Sequence, residues 1–194
     1  MKEDLRRTIL SKRDSMDAAD NKRLSGTICR SLIALSAYES SKTIMCFASF
    51  RSEVNTGIII KNILDRGKRL VVPVVDIRTK SLKLSYVNSI GDLVPGAYGI
   101  PEPSPSSFRE ASPEDIDLVL VPGACFNLKG YRIGYGGGYY DKFLPEIRKD
   151  ALSLGLCFDF QIVSSIEPEK HDIPVDIVLT EKRMIKTKAQ PLEG

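Results

Sequence analysis

Apolar residues recur along this chain in two rhythms, and the way they alternate predicts its elements. Over residues 2–16, Leu5, Ile9 and Met16 stand among lysines and arginines, which predicts a basic amphipathic helix. Asp17 is placed to cap a second helix, along which Leu24, Ile28, Leu32 and Leu35 follow at helical steps. A third helix opens at Asn55-Thr56, turns Ile59, Ile60, Ile63 and Leu64 inward and stops at Gly67. The other rhythm is short, apolar and β-favouring. It predicts strands over Thr43–Ser49, Leu70–Val75, Leu82–Val87, Asp117–Val121, Leu152–Phe158 and Ile177–Thr180. Pro73 makes the second of these imperfect, because it lacks an amide. From Ser89 to Pro113, prolines and glycines break the pattern, so this stretch reads as a long functional or mobile loop. A glycine-rich turn over 134–138 then leads into a helix predicted over about residues 138–148.

Strands that alternate with helices and are apolar on both faces predict an α/β fold. The expected form is one domain over residues 1–194, with a three-layer α/β/α architecture and a mostly parallel central sheet. Length agrees, since 194 residues is close to one domain at about 150 residues each. There is no internal repeat and no linker.

Charge and rare residues then narrow the chemistry. Lys plus Arg minus Asp plus Glu is 28 − 25 = +3, too mild to predict nucleic-acid or membrane partners. A single histidine, His171, excludes a multi-histidine zinc site. Cys29, Cys46, Cys125 and Cys157 lie far apart without a CxxC and read as buried thiols of a reducing compartment. Met1 to Asp20 carries no apolar leader, and no apolar run reaches the ~18 residues of a membrane span, so a cytoplasmic protein is expected.

The most informative stretch is Arg132-Ile-Gly-Tyr-Gly-Gly-Gly-Tyr-Tyr-Asp141. Gly134, Gly136, Gly137 and Gly138 let backbone amides turn toward an anion, and the predicted helix start behind them adds positive potential. Arg132 supplies a cation, Tyr135, Tyr139 and Tyr140 offer rings and hydroxyls, and Asp141 is a hard oxygen ligand suited to magnesium. The plain alternative is a tight turn with core tyrosines. Neither GxGxxG nor GxxxxGK[ST] occurs, so any phosphate is held by a different loop.

The run Val121-Pro-Gly-Ala-Cys-Phe126 followed by Gly130-Tyr-Arg-Ile-Gly-Tyr-Gly-Gly-Gly-Tyr-Tyr-Asp141 closely resembles the signature of the 5-formyltetrahydrofolate cyclo-ligase family. Four further segments fall in the family's order: Lys2-Glu-Asp-Leu-Arg6, Glu53 after the first strand, Tyr98-Gly-Ile-Pro-Glu-Pro103 and His171-Asp-Ile-Pro-Val-Asp176. The resemblance implies conversion of 5-formyltetrahydrofolate to 5,10-methenyltetrahydrofolate, with ATP as co-substrate and magnesium. The γ-phosphoryl goes to the formyl oxygen, a neighbouring nitrogen closes the ring and phosphate leaves. Such chemistry asks for positioning and charge more than for a protein nucleophile.

Carried residue by residue, the resemblance assigns ATP binding to Lys2, Arg6, Arg132, Ile133, Gly134, Tyr135, Gly136, Gly137, Gly138, Tyr139 and Tyr140. Arg132 and Lys2 are the candidates for stabilising the phosphoryl group. Ala48, Phe50, Glu53, Tyr98 and Tyr139 fall to the folate, with Glu53 accepting from pterin N–H groups. Asp141 and Asp176 fall to the metal. Some members carry Arg where Tyr135 stands and Lys where Gly137 stands; both cations are missing here. Outside the resemblance, Lys2 and Arg6 are an ordinary solvated helix face, and His171 is a surface partner of Asp172 rather than a base. The expected partners are small molecules, ATP and a reduced folate, acting on a monomer without nucleic acid or membrane. One rival is a related enzyme or accessory protein acting on another formylated or phosphorylated molecule. The other is a nucleic-acid module using the basic helix.

Overall fold

Helices form where capping and periodicity place them. The structure is a computed structural model describing residues 2–96 and 99–187. Helix α1 (Lys2–Asp14) has Glu3 and Asp4 in its first turn and Lys12 and Arg13 in its last, the order the helix dipole favours. Asp17 accepts the Asp20 N–H at 2.8 Å and caps α2 (Ala18–Ile33). A short α3 (Ser36–Ser40) follows, a helix the pattern did not predict. Helix α4 (Gly57–Asp65) buries Ile59, Ile60 and Ile63. It ends at Gly67, whose φ of 66° is cheap only for glycine, and the Lys68 N–H then reaches the Ile63 carbonyl at 3.0 Å. The last helix, α5 (Tyr139–Phe143), is much shorter than predicted. Pro145 has no amide to continue the ladder, so the chain tightens into a 3₁₀ turn over Leu144–Glu146.

The strands are β1 (Thr43–Met45), β2 (Arg69–Asp76), β3 (Ser81–Val87), β4 (Leu93–Pro95), β5 (Pro101–Pro103) and β6 (Leu118–Val121). They continue with β7 (Cys125–Asn127), β8 (Arg132–Ile133), β9 (Leu152–Leu156), β10 (Ile162–Val163), β11 (Ile177–Leu179) and β12 (Met184–Lys186). Seven of them form one sheet in the order β12-β11-β9-β6-β1-β2-β3. Its interior pairs are parallel, and β12 and β3 close the two edges antiparallel. The expected mostly parallel sheet is therefore observed. Leu118 to Val121 are fully buried without alternation, as a strand covered on both faces must be.

Two apolar layers flank this sheet. On one face α2, α3 and α4 contribute Ile28, Leu32, Tyr38, Ile59 and Ile63, packed with Ile44, Leu70, Leu118 and Leu154. On the other, Phe143 and Leu144 pack with Met45, Val71, Val119, Phe126 and Val178. Pro73 is tolerated for a reason of register. The Val71 carbonyl accepts from Cys46 at 2.9 Å, so residue 73, two further on, also directs its backbone toward β1. The β1 ladder has ended at Val71, and no amide is needed there.

Two small sheets were missed by the sequence pattern. One, in the order β10-β7-β8, carries α1 on a core of Ile9, Cys125, Ile133 and Ile166. The other is a β4–β5 hairpin inside the proline-rich stretch that was expected to hold no regular element. All four cysteines are free and buried, and burial raises the thiols of Cys29 and Cys125 to about 11. Among the described residues, no helix is long and apolar enough to cross a membrane.

Candidate functional site

The five parallel strands run β2-β1-β6-β9-β11, so the order reverses direction at β1 and β6. The chain leaving β1 goes to α4 on one face, while the chain leaving β6 goes to α5 on the other. Divergence of this kind opens a crevice beyond the carboxyl ends of the two strands, the usual ligand position in such sheets. The segment Cys46–Glu53 leaves β1 there, and the glycine turn lies across from it. The two meet through the Tyr135 hydroxyl, which donates to Glu53 Oε1 at 2.5 Å.

On the β1 side, the backbone is pinned before it reaches Glu53. The Thr56 hydroxyl donates to the Phe47 carbonyl at 2.7 Å and accepts from the Ser49 N–H at 3.0 Å. Ala48 is buried and Phe50 half-buried. The Phe50 N–H donates to Glu53 Oε2 at 2.8 Å. Glu53 is only 8% exposed. Burial pushes its carboxyl above the ordinary range, while the bonds from Tyr135 and Phe50 and the charge of Arg13 pull the other way. Gly99, from the proline-rich stretch, approaches this wall: a Cβ there would lie 3.5 Å from the Phe50 ring. Tyr98 lies outside the described residues.

The opposite wall is cationic. Lys2, Arg6, Ile9 and Arg13 follow at steps of four, three and four, which is one face of α1. Arg6 Nε donates to the Gly134 carbonyl at 2.8 Å. Gly136 and Gly138 sit at φ 100° and 66°, a region that favours glycine. A Cβ on Gly137 would meet the Tyr139 ring at 2.2 Å, so that ring lies directly on the turn's backbone. Arg132 is 7% exposed; it donates to the Ile173 carbonyl at 2.8 Å and to Asp141 Oδ1 at 2.9 Å. The same Asp141 oxygen accepts the Ile173 N–H at 3.1 Å. Lys2 Nζ sits 2.6 Å from Asp172 and 2.8 Å from Glu169. Burial works against the charge of Asp172, but Lys2 and the Glu169 N–H outweigh it and hold its carboxyl below the ordinary value. Lys2, Arg132 and Asp141 thus converge on the Asp172-Ile173 dipeptide.

Three expectations change. Ile133 packs its side chain into the small core beneath α1, so it supports the turn instead of lining it. Asp176 immediately precedes β11, at the amino-terminal end of the parallel strands, whereas Asp141 opens α5 on the crevice side. Asp176 Oδ2 accepts the Ser153 N–H at 2.9 Å and the Ser153 hydroxyl at 2.7 Å, which ties β9 to β11. Its pairing with Asp141 as a metal ligand is not carried by this geometry. The dipole offered by α5 is also that of a five-residue helix, so the charge of the turn comes mainly from the arginines. His171 is exposed, as read from the sequence.

Two residues escaped the sequence reading. Arg13 is 3% exposed and lies beside Ser52 and Tyr135, and its place on the Lys2–Arg6 helix face was the available signal. Asp172 was read only as a companion of His171. The Tyr140 hydroxyl is buried with no hydrogen-bond partner among the described residues, while the Arg132 guanidinium lies 5.9 Å from the ring centroid. A buried hydroxyl without a partner is costly and suits a polar group supplied from outside.

A doubly wound α/β protein with a cation-lined glycine turn facing a buried carboxylate across its switch point belongs to the class that binds small, anionic ligands there. Comparison with known proteins gives the particular family. The model described as the 5-formyltetrahydrofolate cyclo-ligase family matches residues 1–181. A 5-formyltetrahydrofolate cyclo-ligase of Mus musculus is 31% identical over 93% of both chains. One from Saccharomyces cerevisiae is 33% identical over 80% of this chain and 83% of its own. The solved structure of Aquifex aeolicus 5,10-methenyltetrahydrofolate synthetase is 32% identical, with a TM-score of 0.83 over 100% of this chain and 96% of that one. The chain belongs to the 5-formyltetrahydrofolate cyclo-ligase family.

Proposed function

We propose that this protein converts 5-formyltetrahydrofolate to 5,10-methenyltetrahydrofolate while ATP is converted to ADP and phosphate. The observation that carries the reading is the convergence of Lys2, Arg6 and Arg132 on one wall, facing Glu53 on the other. The cationic wall and the backbone of Gly134–Tyr140 take the ATP phosphates. Glu53 accepts N–H donors of the pterin, with Ala48, Phe50 and Tyr139 beside it. The formyl oxygen attacks the γ-phosphorus and the bond to ADP breaks. The neighbouring folate nitrogen then attacks the activated carbon, losing its proton, and the carbon–oxygen bond breaks to release phosphate. Arg132 is fixed by Asp141 and Ile173 before any ligand arrives, so its charge meets the transferring phosphoryl group without reorganisation. No other cation stands in the turn at Tyr135 or Gly137, which leaves Arg132 and Lys2 to carry that work.

Magnesium bound with nucleotide needs one or two carboxylates and completes its shell with phosphates and water. Asp141 fits that demand, being a hard oxygen donor in the same residue cluster as Arg132, and it is the residue that would hold the ion. When bound, the ion neutralises phosphate charge. Free buried cysteines support a reducing, cytoplasmic location, and one continuous central sheet with both walls of the crevice built on it supports a single domain.

The test is the absorbance of the methenyl product in the presence of 5-formyltetrahydrofolate and ATP. Product formation that requires both substrates is the expected result. ATP hydrolysis without methenyl absorbance would assign the crevice to another formylated or phosphorylated substrate.

A further inference from the structure

We infer that Arg13 is a positioning residue for the folate-facing wall: it holds the 50–53 turn and the Tyr135 ring so that the Glu53 carboxylate stays aimed into the crevice. The inference rests on the reading of Glu53 as the folate carboxylate.

The turn that presents Glu53 is closed by the Glu53 N–H to the Phe50 carbonyl at 3.2 Å and by the Phe50 N–H to Glu53 Oε2 at 2.8 Å, yet it also carries strain. Arg51 adopts φ 53°, a left-handed conformation that costs a non-glycine residue about 1 kcal/mol or more. External contacts therefore fix it, and they come from the first two helices. Arg13 Nε donates to the Ser52 hydroxyl oxygen at 3.0 Å. That hydroxyl in turn donates to Asp14. From α2, Asn21 Nδ2 donates to the carbonyls of Ser52 at 3.1 Å and Glu53 at 3.2 Å.

Arg13 also reaches the partner of Glu53. Its guanidinium lies 5.8 Å from the centroid of the Tyr135 ring, whose hydroxyl donates to Glu53 Oε1. A ligand N–H that reaches Oε1 must share it with Tyr135 or displace that hydroxyl. Arg13 touches the turn on one side and the ring on the other, so it keeps both walls in place through that exchange. It also supplies positive charge to a carboxylate whose own hydrogen-bond donors are the neutral Tyr135 hydroxyl and Phe50 N–H. A buried carboxyl with no cation nearby takes up a proton and stops accepting hydrogen bonds at both oxygens. Arg13 is itself only 3% exposed, which distinguishes it from the half-buried Lys2 and Arg6 on the same helix face.

The experiment compares the KM for 5-formyltetrahydrofolate and for ATP in Arg13→Met, Arg13→Lys, Ser52→Ala and Glu53→Gln, with urea unfolding run in parallel. Losing the charged hydrogen bond in Arg13→Met is expected to raise the folate KM about 10-fold or more, with the ATP KM nearly unchanged. Arg13→Lys recovers part of the loss. If Arg13→Met does not fold, Ser52→Ala decides, because it removes the same contact while leaving the Arg13 charge in place. It is expected to raise the folate KM by about 3-fold, a cost of under 1 kcal/mol. An unchanged folate KM in the folded variants, or an equal rise for both substrates, overturns the inference. If Glu53→Gln also leaves the folate KM unchanged, the assignment of folate to this wall is what has failed. If Glu53→Gln raises it and the Arg13 and Ser52 variants do not, only the role of Arg13 is lost.

Discussion

The two walls of the crevice handle charge in opposite ways. On the cationic wall, each described contact sets a positive group against an oxygen: Lys2 against Asp172 and Glu169, Arg132 against Asp141 and the Ile173 carbonyl, Arg6 against the Gly134 carbonyl. On the facing wall one carboxylate is buried between a phenol and a backbone amide, and Arg13 acts on it by its charge and through Ser52 and Tyr135 without bonding to it. The first wall is already neutralised and must share its cations when phosphates arrive. The second is under-neutralised and gains from any N–H donor. On the proposed reading, the difference lets one crevice sort the two ends of a reaction, a polyanion and a neutral ring.

The sharpest way to break this contrast is Arg132→Ala. It strands Asp141 and the Ile173 carbonyl, and removing one member of a buried pair costs about 3–5 kcal/mol. Urea unfolding should show that loss, and turnover should fall by about 100-fold or more, as for loss of a transition-state donor. Next in size is Glu53→Gln. It should raise the folate KM by about 10–100-fold, the worth of a charge-assisted bond, and leave the ATP KM nearly alone.

These two effects test opposite walls, and the sequence made the walls unequally readable. Helices α1, α2 and α4 and the central strands were legible because each buries a continuous stripe, and burial imposes a period. The glycine turn was legible because glycines at φ 100° and 66° are chemically marked. β1 and β11 are only three residues long but lie in longer apolar runs, whereas β7, β8 and β10, of two or three residues, lie in none and show no period. Pro145 was visible, but its power to stop α5 after five residues depends on where the helix had begun. Arg13 and Asp172 were hidden for another reason: charged residues are normally solvated, and only the tertiary fold shows that these two are not. Asp176 was assigned to a metal by resemblance; that it precedes a strand was legible, but that this strand end lies away from the crevice follows from sheet topology alone.

The pH dependence of stability should differ in sign between the walls. The carboxyl of Asp172 is lower in the folded state than unfolded, so its contribution is complete above the ordinary aspartate range. That contribution is lost as pH falls through the folded value. The stability gap between the native protein and Asp172→Asn should therefore shrink below about pH 4. The carboxyl of Glu53 is raised, so the native protein gains stability relative to Glu53→Gln as pH falls toward the acid range. Melting curves for the two variants across pH 3–7 should diverge from the native protein in opposite directions, and parallel curves would dissolve the contrast.

The smallest expected effect belongs to Lys2→Ala. Its ion pairs are partly solvated and contribute under about 1 kcal/mol to stability. The ATP KM should nonetheless rise by about 3–10-fold, with the folate KM unchanged, because a phosphate contact of under 1.4 kcal/mol is worth no more than a factor of ten.

The Lys2 contacts also have a kinetic consequence. They join residues 167 and 170 positions apart in sequence, and the Arg6 bond to Gly134 spans 128. Closing loops of that size defers their reward until most of the chain has already found its partners. The parallel sheet and its helices can therefore consolidate while the crevice is still missing its cationic wall. Refolding followed by activity should lag behind refolding followed by secondary structure, with the interval reporting the docking of α1.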